Sequence, residues 1–295
     1  MPHLLKNKTL ALEIELPGEN YQQSRFDWTG KIVSVKYLGK KITSQELPHS
    51  KSANIGEGLY NEFGFKLPLG YNEIPIGGYF HKIGIGLLRK EDESYDFLKS
   101  CEVTPATFTV EKDGSSIKIQ CVAPIANGYA YSLKKEIRLH EHDFTIAYHL
   151  TNTGKKTIRT NEYTHNFMAI NEAPISKDYT LTFPFEIKPD GFDEHVDLEN
   201  ILAIGRQEIK INNHPNQPYF LSDLSGGQSV GAGWTLENTK EKIGISESGN
   251  FESNWVALWG AAHVISPELF IDLSIAPGQT KEWSRRYKIY DLDTD

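Results

Sequence analysis

Two segments far apart in the chain hold the residue types that proton transfer requires. Thr160 to Phe167 reads Thr-Asn-Glu-Tyr-Thr-His-Asn-Phe, polar and aromatic at once. Its imidazole, His165, titrates near neutral pH and suits a general acid. His263 to Phe270 reads His-Val-Ile-Ser-Pro-Glu-Leu-Phe and places the carboxyl group of Glu268 among apolar residues at an expected strand start. Partial burial raises a carboxyl pKa and makes a better base near pH 7. Each residue has a plainer alternative: a structural imidazole for His165, a solvent-facing strand-end carboxylate for Glu268. Glu247 and Glu252 lie near enough in sequence to compete for the basic role.

Three further clusters could bind a ligand or a metal. In Ser24 to Gly30, Arg25 and Asp27 alternate with Phe26 and Trp28. On a regular strand the charged pair shares one face and the aromatic pair the other. That pattern predicts either a local ion pair over core aromatics or an Arg25 that points into a cleft and hydrogen-bonds a ligand oxygen. Gly77 to Gly86 is glycine-rich, and glycine lets backbone approach a ligand closely. His81 and Lys82 add donors there and are expected to bind substrate; the alternative for His81, beside Phe80, is a structural role. His140-Glu141-His142-Asp143 has a metal-like composition but falls in a polar turn, where such residues are solvated, so neither a metal nor a cofactor is expected. The chain has no Gly-x-Ser-x-Gly elbow, phosphate loop or His-Glu-x-x-His, and Gly84-Ile85-Gly86 is too short for a dinucleotide signal.

Composition narrows the partners. The net charge is −8 and the basic residues are dispersed, with pairs such as Lys40-Lys41 but no basic stripe, so a nucleic-acid partner is not expected. The two cysteines, Cys101 and Cys121, cannot build a disulfide framework or a cysteine-rich zinc site. No apolar run reaches the roughly 20 residues of a membrane helix, and the N-terminus has no signal-length apolar stretch, which predicts a cytoplasmic protein without a membrane partner. Aromatic residues make up 11% of the chain; such side chains favour strands and stack on sugar rings.

The elements that must position these groups are strands. Thr107 to Val110 and Ile117 to Val122 alternate around Asp113-Gly114, whose positive φ angles suit a tight hairpin. Leu133 to Leu139 and Phe144 to Leu150 form a second expected hairpin. Further runs follow at Ser229 to Leu236, Trp255 to Trp259, Leu269 to Ile275 and Glu282 to Tyr290. Turns fall at Asn152-Thr153-Gly154 and Pro277-Gly278, and no long stretch has a helical period. Without a linker or repeat, residues 1–295 are expected to form one all-β domain of two packed antiparallel sheets, a large β-sandwich. The irregular, glycine-rich segment 43–86 is expected at a binding cleft.

In their order along the chain, these segments resemble the aldose 1-epimerase (galactose mutarotase-like) family. Asn152-Thr153-Gly154 leading to Glu162-Tyr163-Thr164-His165-Asn166-Phe167 is similar to the family's Asn-Thr-x turn and the strand with its catalytic histidine. Ser266-Pro267-Glu268, followed by Pro277-Gly278 and a strand through Trp283, is similar to its C-terminal glutamate and closing strand. Trp28-Thr29-Gly30 matches an N-terminal pattern of some members. The Asn-Arg pair ahead of the family's first histidine and its Glu-Thr-Gln segment are absent here, which leaves the sugar open. The resemblance implies a galactose mutarotase-like supersandwich and an isomerase that interconverts the α and β anomers of an aldose. It implies that Glu268 takes the proton of the anomeric hydroxyl and His165 protonates the ring oxygen, from opposite sides of one carbon–oxygen unit. His81 resembles the family's second, substrate-binding histidine loosely. A carbohydrate-binding protein without turnover is the alternative on the same scaffold.

Overall fold

The computed structural model describes residues 2–48 and 54–293. Residues 49–53, part of the irregular segment 43–86, and residues 1, 294 and 295 lie outside the described residues. The period-two segments form two ten-stranded antiparallel sheets and a three-stranded sheet. The helical content among the described residues is three short 3-10 turns, at Tyr71–Glu73, Ile170–Glu172 and Pro189–Gly191. The architecture is all-β, as the alternation implies. Both expected hairpins are present: Thr107–Lys112 pairs with Ser116–Val122, and Tyr131–Leu139 pairs with Asp143–Asn152, in register Leu139 to Phe144.

The first large sheet places four strands side by side: Leu59–Phe63, Ile158–Asn166, Val264–Ile275 and Trp255–Ala261, with Tyr219–Ser222 beyond them. The second contains Val230–Asn238, Ile243–Ser253, Thr280–Asp291 and Asp143–Asn152 in that order. One apolar cluster draws on both sheets, including Ile158, Leu269 and Phe63 from the first and Tyr148, Trp283 and Tyr287 from the second. Across the interface Phe63 meets Trp283 edge-on at 6.2 Å, and Trp283 stacks on Tyr148 at 4.8 Å. This is face-to-face sandwich packing.

Alternation sorts the side chains of Ile158–Asn166 onto two faces. Glu162, Thr164 and Asn166 turn inward and meet a buried polar layer. Arg285 of the second sheet lies 2.7 Å from Glu162 and 2.6 Å from Glu247. Asn166 Nδ2 donates to Glu247 at 3.0 Å, and Asn61 Nδ2 donates to the Thr164 hydroxyl at 2.7 Å. Tyr163 and His165 take the opposite face, where the candidate site lies.

Two local expectations change. Ser24 to Gly30 is not a strand, and Arg25 does not pair with Asp27. Arg25 goes to Glu46 and Glu62, while Asp27 accepts from Lys135 at 3.2 Å and from the Thr29 hydroxyl. The glycine at position 84 serves packing rather than a ligand: its φ is +84° and a Cβ there would lie 2.5 Å from the Asp27 Cβ.

Candidate active site

His165 and Glu268 are neighbours because their strands are. The pairing Glu162 to Ile271, continued three places, sets His165 opposite Glu268, and the same register resumes at Met168 to Ile265. Directly opposed residues of antiparallel strands project on one face. Between those points lies Pro267, which has no N–H to give to a ladder. Glu268 is therefore in mid-strand, not at a strand start, since the strand begins at Val264. On the other side, Glu268 faces Ala257 of Trp255–Ala261. The small alanine leaves open the space that flanking Trp255 and Trp259 enclose.

His165 Nδ1 lies 3.2 Å from Glu268 Oε1, and both side chains are 7% exposed. Ser266 sits beside them, with its hydroxyl 2.6 Å from His165 Nδ1 and 3.3 Å from Glu268 Oε1. His165 Nε2 and Glu268 Oε2 make no hydrogen bond to the described residues. The ring of His165 is held by Phe167, stacked at 4.0 Å, and by Trp259, edge-on at 5.6 Å. Burial, helped by the charge of Arg25, pushes the His165 pKa well below the usual imidazole value. Burial pushes Glu268 up to about 8, against the pull of Arg25 and the Ser266 hydroxyl, with Glu46 and Glu62 adding to the rise. Both groups are thus biased toward their uncharged forms. The two do not face each other across a pocket; they stand side by side in its floor.

The pair opens into a cleft of about 700 Å³. Its walls are Phe65, Phe97, Phe220, Trp255 and Trp259, with Arg25, Glu46 and Tyr163 near the floor. An apolar cleft with a few convergent polar groups is the usual form of a small-molecule site. Flat aromatic walls suit the C–H face of a sugar, and the polar floor suits its hydroxyls.

Comparison with solved structures assigns the scaffold. The chain superposes on Slr1438 protein from Synechocystis sp. PCC 6803 with a TM-score of 0.65 and 12% identity, over 99% of this chain and 96% of that one. A galactose mutarotase-like protein from Lactobacillus casei ATCC 334 gives 0.60 and 11%, over 98% and 100%. The GalM/aldose epimerase homologue from C. elegans gives 0.51 and 10%, over 99% and 100%. The fold is galactose mutarotase-like. No protein-family model and no curated protein sequence matches the chain.

On this mutarotase-like scaffold the other expected site residues go to different places. Arg25 lines the cleft, but it is already engaged. Its Nη1 donates to both Glu46 oxygens, at 2.8 and 3.1 Å, and its Nε donates to Glu62 at 3.2 Å. Lys82 is wholly buried behind the cleft and donates to the other Glu62 oxygen at 2.9 Å. His81 is also buried away from the lining. Its Nε2 lies 3.2 Å from the Tyr129 carbonyl oxygen, and burial lowers its pKa to about 4. Glu247 accepts from Arg285, Trp234 and Asn166 between the sheets, and Glu252 is exposed and accepts from Ser229. Of the three carboxyl groups weighed as a base, Glu268 is the one beside His165. His140 and His142 sit in an exposed turn, and no metal-holding group of three or more His, Cys, Asp or Glu residues occurs among the described residues. No helix among them is long and apolar enough to cross a membrane.

Sequence reasoning did not identify Ser266, Glu46, Glu62, Tyr163 or the tryptophan walls as parts of the site. The alternation Tyr163, His165, Phe167 was the available signal for Tyr163. For Ser266 it was the spacing of two from Glu268, which puts both on one strand face. Glu46 and Glu62 had none, since their roles depend on Arg25 arriving from a separate segment.

Proposed function

We propose that the chain is an aldose 1-epimerase that interconverts the α and β anomers of an aldose in this cleft. The observation that carries the reading is the 3.2 Å contact of His165 with Glu268 at the base of an aromatic-walled cleft. Anomer exchange needs a base for the anomeric hydroxyl and an acid for the ring oxygen. Both oxygens are bonded to C1. A single carbon presented to the floor therefore offers one oxygen to each group, and the sugar lies over the pair rather than between its members. In this reading Glu268 takes the hydroxyl proton and His165 Nε2 protonates the ring oxygen. The ring opens to the aldehyde, the C1–C2 bond turns, and the steps reverse. The walls Trp255, Phe65 and Phe220 hold the C–H face of the ring and keep water out.

The test is equilibration of freshly dissolved α-anomers, followed by polarimetry across a panel of aldoses. Faster exchange for at least one sugar supports the enzyme. Sugar binding with no acceleration for any member of the panel replaces it with the non-catalytic carbohydrate-binding reading.

A further inference from the structure

We propose that Ser266 is a proton relay between Glu268 and His165, so that the two act as one uncharged, bifunctional unit. The inference rests on the epimerase reading and concerns how its two proton transfers are joined. Ser266 is fully buried, and its hydroxyl contacts Nδ1 of His165 at 2.6 Å and Oε1 of Glu268 at 3.3 Å. Both inner atoms of the pair thereby face one hydroxyl; they also lie 3.2 Å from each other, a direct path that the Ser266 variants below separate from the relay, while Nε2 and Oε2 carry no protein hydrogen bond among the described residues.

A hydroxyl has one proton to give, so its two contacts are coupled. When Glu268 is a carboxylate, Ser266 donates to Oε1 and Nδ1–H donates to Ser266. When Glu268 is a carboxylic acid, both bonds run the other way: Oε1–H donates to Ser266, Ser266 donates to a bare Nδ1, and the imidazole proton sits on Nε2. Burial favours the second arrangement, which carries no charge on either residue. The charged and titratable groups that face the pair are Arg25, Glu46, Glu62 and Tyr163. Arg25 is neutralised by Glu46 and Glu62, so it leaves this preference in place.

From that state ring opening is a closed circuit of protons. The anomeric O–H proton passes to Oε2. The Oε1 proton passes to Ser266, whose own proton passes to Nδ1. The Nε2 proton passes to the ring oxygen as the C1–O bond breaks and the C1 carbonyl forms. Glu268 ends as an acid protonated on Oε2, His165 ends as the neutral Nδ1–H tautomer, and the sugar has become the open aldehyde. The reverse circuit closes the ring and restores each residue. No step creates a buried charge on the pair, which matters in a dry site where an unpaired charge is costly.

Three measurements decide it, all on the full chain. First, 15N NMR of His165 at pH 7 should report a neutral ring protonated on Nε2; an imidazolium overturns the proposal. Second, Ser266→Ala should lower kcat by at least about tenfold, a fraction of what a full acid–base pair supplies, with KM unchanged. Third, the dependence of rate on solvent deuterium fraction should be curved in the wild type, from several protons in flight, and linear in Ser266→Ala. Ser266→Thr, which keeps the hydroxyl, should retain the curvature and controls for packing damage. An alanine variant with full kcat and unchanged curvature contradicts the relay. Absence of any anomer exchange in the wild type defeats the epimerase reading instead, so the two failures are distinct.

Discussion

The guanidinium of Arg285 bridges Glu162 at 2.7 Å and Glu247 at 2.6 Å, with all three side chains fully buried. Arg285 and Glu247 belong to the second sheet and Glu162 to the first, so this triad ties the two layers beneath the cleft. Burial raises the Glu162 pKa, and the nearby Arg285 charge opposes that rise. Arg285→Met should leave two buried carboxyl groups without their cation, at a cost of about 3–5 kcal/mol in urea unfolding. The added substitutions Glu162→Gln and Glu247→Gln should recover part of it. A loss under about 1 kcal/mol for Arg285→Met alone would mean that the triad adds little to stability.

Glu268 gives the fold a pH dependence of known sign. Its pKa rises from 4.5 to about 8 on folding, so between those values the folded state binds more protons than the unfolded state. Stability from this group is full below the unfolded pKa and is lost as pH rises through the folded one. Glu268→Gln should therefore flatten the decline of stability between about pH 5 and about pH 8. The change in slope should approach, at most, about 1.4 kcal/mol per pH unit. The check is denaturant unfolding of both proteins at several pH values; parallel curves would assign Glu268 an ordinary carboxyl pKa.

The aromatic wall should act on binding more than on chemistry. Trp255 stacks on Phe65 at 6.1 Å, carries Lys66 over its ring at 4.7 Å and makes no ring contact or hydrogen bond with His165 or Glu268 among the described residues. Trp255→Ala should raise KM by about 2- to 10-fold, the worth of an aromatic contact, and leave kcat within about twofold. Saturation kinetics by NMR exchange measures both. A large fall in kcat at constant KM would place Trp255 in the chemistry instead.

The activity should also respond to pH through the pair. The reactive form holds one proton on Glu268 and one on His165, so that neither residue is charged. Exchange should be level from well below pH 6.5 up to about 8 and should fall above it, as Glu268 loses its proton. A rate that keeps rising through pH 9 would assign the work to free carboxylate.

Much of this was legible in the residues, for reasons that also explain the rest. Strand alternation is a local signal, and it placed Thr107–Lys112 against Ser116–Val122 correctly, but neither Asp113 nor Gly114 takes the positive φ expected of the turn, which closes instead through Asp113 accepting from the Ser116 N–H. His165 and Glu268 stood out because an ionisable group among apolar strand residues needs a reason to be there. The start of the Glu268 strand was misread because Pro267 ordinarily interrupts a strand; here it lies where the ladder to the His165 strand is already open. Lys82 and Arg25 were expected to bind substrate, with a local ion pair as the alternative for Arg25; Glu62, which engages both, approaches from another strand. Their commitments are long-range, and no nearby spacing encodes them.

The most direct test of the account is the anomer exchange rate of an accelerated aldose, measured by NMR for the wild type, His165→Ala and Glu268→Gln. Each variant should remain folded and lose about 10²–10⁴-fold of the enzymatic rate, the range expected for a general acid–base group. Wild-type rates in both variants would contradict the assignment of the chemistry to this pair.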